Sequence, residues 1–477
     1  MIQLPAHFPV NFRSSAGPDR ELHSPNDLNL ITKIQYATSE DIAFILERLP
    51  KAQKEMRKLK AYERADILKK VASSIKENAP KLAWLISHEG GKPLKDAKAE
   101  VTRAQSTLEL CAEEAMSIHG ETVPMERTAA GVDHLSLLMR DPIGPVLAIS
   151  AFNHPLNLIA HQVGCAIASG NPVVLKPAPG TPLSAFKLEK FFQDAGLPAD
   201  CLFVVNCEVP QIEEMLASSV FGYVSFIGSA KVGWNIRKTL AAGTRLSLEH
   251  GGQAPALVRE DADLKNAIPG LIKGSFYHAG QVCISTQRIF VHKTIFENFV
   301  SEFTKLAKKL VTGEATHENT DVGPLIRPAE VKRLQEWIDE ALQMGAQLQC
   351  GNETKGAHHQ FLLPTVLTNV PRGCRMMKDE AFGPVVCINS YEDEEEVLTY
   401  LNSNDYIFEA ALYTQDIQKA LKIAKDFSTM TLVINNHTAY RVDQMPFGGH
   451  KLSGLGMGGV KYMMEEMTRL KQVIIKI

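Results

Sequence analysis

Residues 146–176 read VLAISAFNHPLNLIAHQVGCAIASGNPVVLK, and the reading of this stretch decides the fold. Val146 to Ser150 is a short, almost wholly apolar run, a helical pattern starts from Leu156, and Pro172 to Lys176 is a second apolar run. A strand without polar alternation has both faces buried, as the strands of a parallel sheet do. The same rhythm continues outward. Strands are expected at Leu202 to Asn206, Tyr223 to Ile227 and Leu246 to Glu249, with helical patterns between them starting from Pro182, Gln211 and Lys231. Alternating strand and helix predict an α/β protein with a doubly wound parallel sheet. Ligands of such a sheet sit at the carboxyl ends of the strands, so the residues from Ser150, Lys176 and Gly228 onward should converge on one crevice.

Upstream, the first forty residues mix Pro, Ser, Asn and charges and read as an extended lead-in. Ser39-Glu40-Asp41 offers a helix start, and helical periodicity runs from there to about Ile118; the lysines between Lys51 and Lys70 read as a solvated helix face. Between Gly120 and Asp141 the pattern changes to a hairpin, with a strand from His134 to Arg140 after a turn at Ala130-Gly131. Downstream, a second α/β segment spans about Gly251 to Gly448. Its helical stretches lie near Ile295 to Leu310 and Ala329 to Met344, and its strand-like runs at Val385 to Ser390 and Thr431 to Asn435. The tail, Gln472 to Ile477, is an apolar strand with no partner nearby in sequence, which pairing with another subunit would bury.

The bulk properties narrow the function. A chain of 477 residues exceeds one ordinary core and should divide into two or three domains. The 51 basic and 54 acidic residues nearly cancel, so no electrostatic footprint for nucleic acid or an anionic bilayer exists. The eight cysteines include no C-x-x-C pair, which argues against a zinc or redox site, predicts no metal and suits a reducing cytosol. Residues 1–7 show no basic segment leading into an apolar one, so no secretory signal is expected, and no apolar stretch reaches membrane-spanning length.

Several residues carry candidate chemistry. Cys283, in Phe276-Tyr277-His278-Ala279-Gly280-Gln281-Val282-Cys283, is flanked by glycine and polar residues. It reads either as an accessible nucleophile or as a small buried thiol. Glu249 precedes Gly251-Gly252 and reads as a general base for water or as a cap or surface charge. Asn153, in Phe152-Asn153-His154-Pro155, reads as an oxyanion donor or a turn former. Lys176, closing its strand before Pro177-Ala178-Pro179, can reach a nucleotide's ribose or phosphate, or is a surface lysine. Phe226-Ile227-Gly228-Ser229-Ala230-Lys231-Val232-Gly233 passes from strand to helix, where backbone amides can meet a pyrophosphate; an ordinary turn explains it equally well. The tail Gly454-Leu455-Gly456-Met457-Gly458-Gly459 matches G-x-G-x-x-G, but too little chain follows it for the helix, strand and acidic residue of a dinucleotide fold.

Taken in order, from about Arg103 to the C-terminus, these elements resemble the aldehyde dehydrogenase superfamily. The matching segments are Ala151-Phe152-Asn153-His154-Pro155, Lys176-Pro177-Ala178-Pro179, Phe226-Ile227-Gly228-Ser229, Glu249-His250-Gly251-Gly252 and Gly280-Gln281-Val282-Cys283. Two later signatures look like Asp379-Glu380-Ala381-Phe382-Gly383-Pro384 and Pro446-Phe447-Gly448-Gly449-His450-Lys451. The resemblance implies two parallel-sheet α/β domains plus a small β oligomerisation element. Residues 1–119 and 141–250 would bind a dinucleotide, 251–450 would carry the nucleophile, and 120–140 with 451–477 would join subunits into a dimer or tetramer. It further implies that Cys283 attacks an aldehyde, that Asn153 holds the oxyanion, and that Glu249 activates water. Ser150, Phe152, Lys176, Pro179, Gly228, Ser229, Gly233, Glu380 and Phe382 would hold NAD or NADP.

Departures from the pattern bear on specificity. His250 and Gln253 stand where leucine and lysine are common, Phe152 replaces a frequent tryptophan, and Met457-Gly458 replaces a frequent Arg-Glu pair. Pro179 stands where NAD-preferring members often carry a glutamate, which removes repulsion against a 2′-phosphate. Arg103 resembles one of the arginines that relatives oxidising anionic aldehydes place in the substrate funnel, or is a helix-surface residue, and Val282 stands where those relatives often carry another arginine. His154 and Arg441 are further polar candidates, so a small polar aldehyde or semialdehyde is expected. The rival readings are a CoA-acylating relative, against which Glu249 argues, and a catalytically silent protein on the same scaffold, against which both Cys283 and Glu249 argue.

Overall fold

The apolar runs around residue 146 become the centre of a six-stranded sheet. In the computed structural model, which describes residues 7–8 and 17–477, its order is Gly454–Leu455, Arg245–Glu249, Tyr223–Ile227, Val146–Ile149, Val173–Lys176 and Leu202–Val204. All neighbours are parallel except the short first strand, which is antiparallel to Arg245–Glu249. Residues 1–6, on which the reading of the leader largely rested, lie outside the described residues.

Successive side chains of these strands feed two different cores, as the two-residue period of a strand requires. Val146, Ala148, Val173 and Leu175 join the cluster formed with helices Ala61–Glu77, Leu94–Ser117 and Asn157–Ala168. Leu147, Ile149, Val174 and Val224 face the other way, against helices Ser39–Lys58 and Ala230–Thr239. Each fully buried aliphatic side chain contributes about 1.5–3 kcal/mol. Helix 157–168 lies close to helix 94–117 because Gly164 leaves room for Leu108 and Cys111. Its first amides, of Leu156 and Asn157, donate to Glu100 at 2.9 and 3.1 Å. A negative charge at that end also suits the helix dipole. Glu100 is itself neutralised by the buried Lys92.

The second α/β segment forms a seven-stranded sheet, in the order Gln347–Cys350, Thr365–Thr368, Val385–Tyr391, Arg288–His292, Pro255–Val258, Glu409–Tyr413 and Thr431–Ile434. Its core is separate from the first two. Helices Phe296–Ala307 and Pro328–Gln343 fall where the periodicity placed them.

The tail departs from expectation. Strand Thr468–Lys476 has a partner in its own chain: it pairs antiparallel with His134–Pro142 over its whole length, and Glu121–Val123 adds a third strand. One edge of it is satisfied within the chain, because the hairpin returns to it from far away in sequence, and the other edge has no strand partner among the described residues. The lead-in is extended, as read, but it folds into a small sheet of its own from His7–Phe8, Asp19–His23 and Leu30–Gln35.

Candidate active site

The carboxyl ends of the first sheet open into a cavity of about 730 Å³ that continues to the loop bearing Cys283. Ser150, Phe152, Asn153 and His154 follow the central strand into it, Lys176 and Pro179 follow the next, and Gly228 and Ser229 follow Tyr223–Ile227. Glu249, Cys283, Glu380, Phe382, Arg103 and Arg441 complete the set of expected site residues that line it. Gly233 alone does not. Its α-carbon abuts the ring of His250, and any side chain there would collide with it, so packing accounts for this glycine.

The Cys283 loop is built on unusual backbone. His278, Ala279 and Gly280 take φ of 49°, 53° and 68° in succession, a left-handed run in which the two non-glycine residues cost about 1–2 kcal/mol each. Polar anchors hold the run. The His278 amide donates to Asp96 at 3.3 Å, and Gln281 Oε1 accepts the Ile326 amide at 2.9 Å. The Asn153 side-chain amide donates to the Gln281 carbonyl at 2.9 Å, which fixes it two residues from Cys283. Just beyond, Gln287 donates to the Gly252 carbonyl at 3.1 Å and accepts the Ala381 amide at 2.7 Å. Buried Arg288 donates to the carbonyls of Met376 and Asp379. These two side chains tie the nucleophile segment to the turns after Glu249 and around Glu380.

The electrostatics are those of a closed, acidic pocket. Burial pushes the Cys283 thiol far up, and Glu380, Glu249 and Glu409 push it further. Burial also raises Glu249, against the pull of Arg441, and lifts Glu380 and Glu409 each to about 8. His154 is held neutral by burial and by the surrounding Lys92, Arg103, His278 and Arg441. Gly458 leaves the room that the Glu249 carboxyl occupies, and Gly251 does the same for Glu380.

Buried polar atoms without partners point into the cavity's needs. Ser150 Oγ and Glu380 Oε1 have none, and the exposed Ser229 at the cavity rim caps its helix without a side-chain bond. The Lys176 ammonium has no hydrogen bond or ion pair among the described residues and is depressed by burial. Hydroxyl-rich and phosphate groups would satisfy all four, so this set fits the riboses and pyrophosphate of a nicotinamide dinucleotide.

Sequence reading did not single out three residues here. Asp443 sits behind the wall as a buried carboxylate; Glu409 begins an inner strand with both oxygens unpartnered; His161 is bonded to Asp443 at 3.0 Å. The available signal was weak: Asn157 and His161, one turn apart, are with Gln162 the polar residues of a mostly apolar helix.

A nucleotide-sized crevice at the ends of a parallel sheet, closed by a cysteine among carboxyl groups, defines a class: oxidoreductases working through an enzyme thiol. The profile of the aldehyde dehydrogenase family matches residues 12–473, and the chain belongs to that family. It is 40% identical over 447 residues to the 3-sulfolactaldehyde dehydrogenase of Priestia megaterium, covering 93% of this chain and 92% of that one. Its structure is similar to that of aldehyde dehydrogenase 21 from Physcomitrella patens in complex with the reaction product succinate: TM-score 0.96, 33% identity, 99% of each chain. It is likewise similar to a glyceraldehyde-3-phosphate dehydrogenase from Methanocaldococcus jannaschii complexed with NADP: TM-score 0.92, 36% identity, 97% of this chain and 100% of that one.

Proposed function

We propose that this aldehyde dehydrogenase oxidises small aldehydes bearing an anionic group to their carboxylic acids, with NAD or NADP as oxidant and Cys283 as nucleophile. One observation carries the anionic part. The Arg441 guanidinium lines the cavity with Cys283 and lies 3.5 Å over the Phe447 ring, yet it has no hydrogen bond or ion pair among the described residues. Its Nη1 is buried without a partner. An unpaired buried guanidinium is costly until an anion meets it. Similarity to enzymes of 3-sulfolactaldehyde, succinate and glyceraldehyde 3-phosphate, all anionic, supports the same reading.

In this reading the Cys283 proton passes to solvent as its sulfur adds to the aldehyde carbon and the C=O π bond breaks, giving a thiohemiacetal whose oxyanion the Asn153 amide and the Cys283 N–H stabilise. A bound nicotinamide would supply the hydride acceptor through which this adduct reaches the thioester level. Glu249, kept basic enough by its place at the cavity wall, then removes a proton from water as the water attacks the thioester, releasing the acid and restoring the thiol. Lys176, Glu380, Ser150 and the Gly228-Ser229 turn hold the dinucleotide, with Phe152 and Phe382, whose rings meet edge-on at 5.9 Å, beside it. Pro179 leaves space without negative charge for a 2′-phosphate. His154 offers the substrate a neutral polar edge, and the open side of the Thr468–Lys476 strand joins subunits into a dimer or tetramer. Residues 1–119 with 141–250 serve as the dinucleotide domain and 251–450 as the catalytic one. The compartment is the cytosol, which the eight free thiols suit; no helix among the described residues is long and apolar enough to cross a membrane.

The test is a panel of neutral and anionic aldehydes with NAD and NADP, followed by nicotinamide absorbance, with Cys283→Ala and Arg441→Gln alongside. Free acid should form without CoA, Cys283→Ala should be inert, and Arg441→Gln should lose at least about tenfold in kcat/KM for anionic aldehydes only. Turnover by Cys283→Ala, or an absolute need for CoA, would overturn the mechanism.

A further inference from the structure

Two arginines from different elements, Arg103 on helix Leu94–Ser117 and Arg441 in the loop before Phe447, line the cavity. Their surroundings are opposite. Arg103 donates to both oxygens of Asp443, from Nη2 at 2.7 Å and from Nε at 3.2 Å, in a two-pronged pair. Asp443 is buried in the wall, and His161 Nε2 at 3.0 Å and the Asn157 amide at 3.3 Å also bond to it. Burial alone would raise that carboxyl, but the bonds from His161 and Arg103 hold it far below its usual range, so it is fully charged at any working pH. Arg441 has no such partner. The other arginines of the cavity, Arg327 and Arg333, both pair with Glu330.

We propose that Asp443 is the residue that sets the charge this enzyme accepts: it cancels Arg103, leaving Arg441 as the open guanidinium beside the nucleophile, and so selects a singly charged anion over a doubly charged one. The proposal rests on Arg441 as the anion's receptor. It also departs from the expectation that Arg103 reads the substrate directly. Arg103 cannot turn to the substrate without giving up its two-pronged bond to a carboxylate buried in the wall. Arg103 is therefore part of that wall, and two mutually repelling guanidinium groups never face the substrate together.

The experiment uses the full-length enzyme and three aldehydes: lactaldehyde, uncharged; succinic semialdehyde, with one carboxylate; and glyceraldehyde 3-phosphate, with a doubly charged phosphate. Asp443→Asn frees Arg103 and should raise the kcat/KM ratio of glyceraldehyde 3-phosphate to succinic semialdehyde at least about tenfold, through KM. The double variant Arg103→Gln with Asp443→Asn removes the pair as a neutral unit. It should return that ratio to within about threefold of the parent enzyme and leave KM for succinic semialdehyde within the same limit. If the double variant raises that KM at least about tenfold, Arg103 binds the substrate itself and the proposal is overturned. The double variant gives this answer even where Asp443→Asn alone does not fold. Arg441→Gln separates the two readings. Without effect on succinic semialdehyde, it removes Arg441 as receptor and the proposed substrate class with it; with its expected effect, failure of the double variant counts against Asp443 alone.

Discussion

At position 458 the space a side chain would need is held by the Glu249 carboxyl, which is a reason for glycine that has nothing to do with turn geometry. Gly458→Ala should therefore push this carboxyl, the proposed base, aside. We expect kcat to fall about a hundredfold, the usual scale for a misplaced general base, while a pre-steady-state burst of reduced nicotinamide persists because only hydrolysis is slowed. Loss of the burst together with turnover would show that the carboxyl also serves acylation. Glu409 makes a pH prediction. Burial lifts its carboxyl from 4.5 to about 8, so between these values the folded state holds a proton that the unfolded chain has lost. Its contribution is whole below about 4.5 and drains away as pH rises through 8, by up to about 1.4 kcal/mol per pH unit. Urea melts of Glu409→Gln at pH 5.5, 7 and 8.5 should give a shallower slope than the parent. An identical slope would mean that Glu409 is ionised in the native protein. Cys283, Asn153 and Glu249 were legible because each sits in a recognisable segment. Glu409 and Asp443 were not, since nothing local says that a carboxylate in an ordinary-looking run will be buried.

Among the elements, the strands and helices of residues 146–249 were read to within a residue or two, because apolar runs and turn residues alternate cleanly there. Of the seven strands of the second sheet, two were visible. Strand Arg288–His292 opens with a buried arginine and Glu409–Tyr413 with a buried glutamate, and charge at a strand's start disguises a core position. The nucleophile loop shows the same limit in the backbone: Gly280 could be noticed, but not that His278 and Ala279 share its left-handed conformation. Gly280→Ala should be severe, since φ of 68° is strained for alanine and its methyl would collide with the Gly383 carbonyl. A loss of about 2–4 kcal/mol is expected from urea unfolding. A loss below about 1 kcal/mol would mean that the loop relaxes at little cost.

For the molecule as a whole, the three-stranded antiparallel sheet is where association is expected. Leu470 and Ile474 on its edge strand are 59% and 54% exposed, too apolar a row to leave in water over a free strand edge. Leu470→Asp with Ile474→Asp should lower the mass measured by light scattering during gel filtration to that of a single chain, with the far-UV spectrum retained. An unchanged assembly would move the interface elsewhere. The pairing of this edge strand with His134–Pro142 also dictates a timetable. Arg140 and Thr468, which share a hydrogen bond across it, are 328 positions apart. While the chain is being synthesised, the hairpin must wait with one side open until residues 468–476 have been made. A product that stops short of residue 468 carries an unsealed apolar edge by which chaperones and proteases can recognise it.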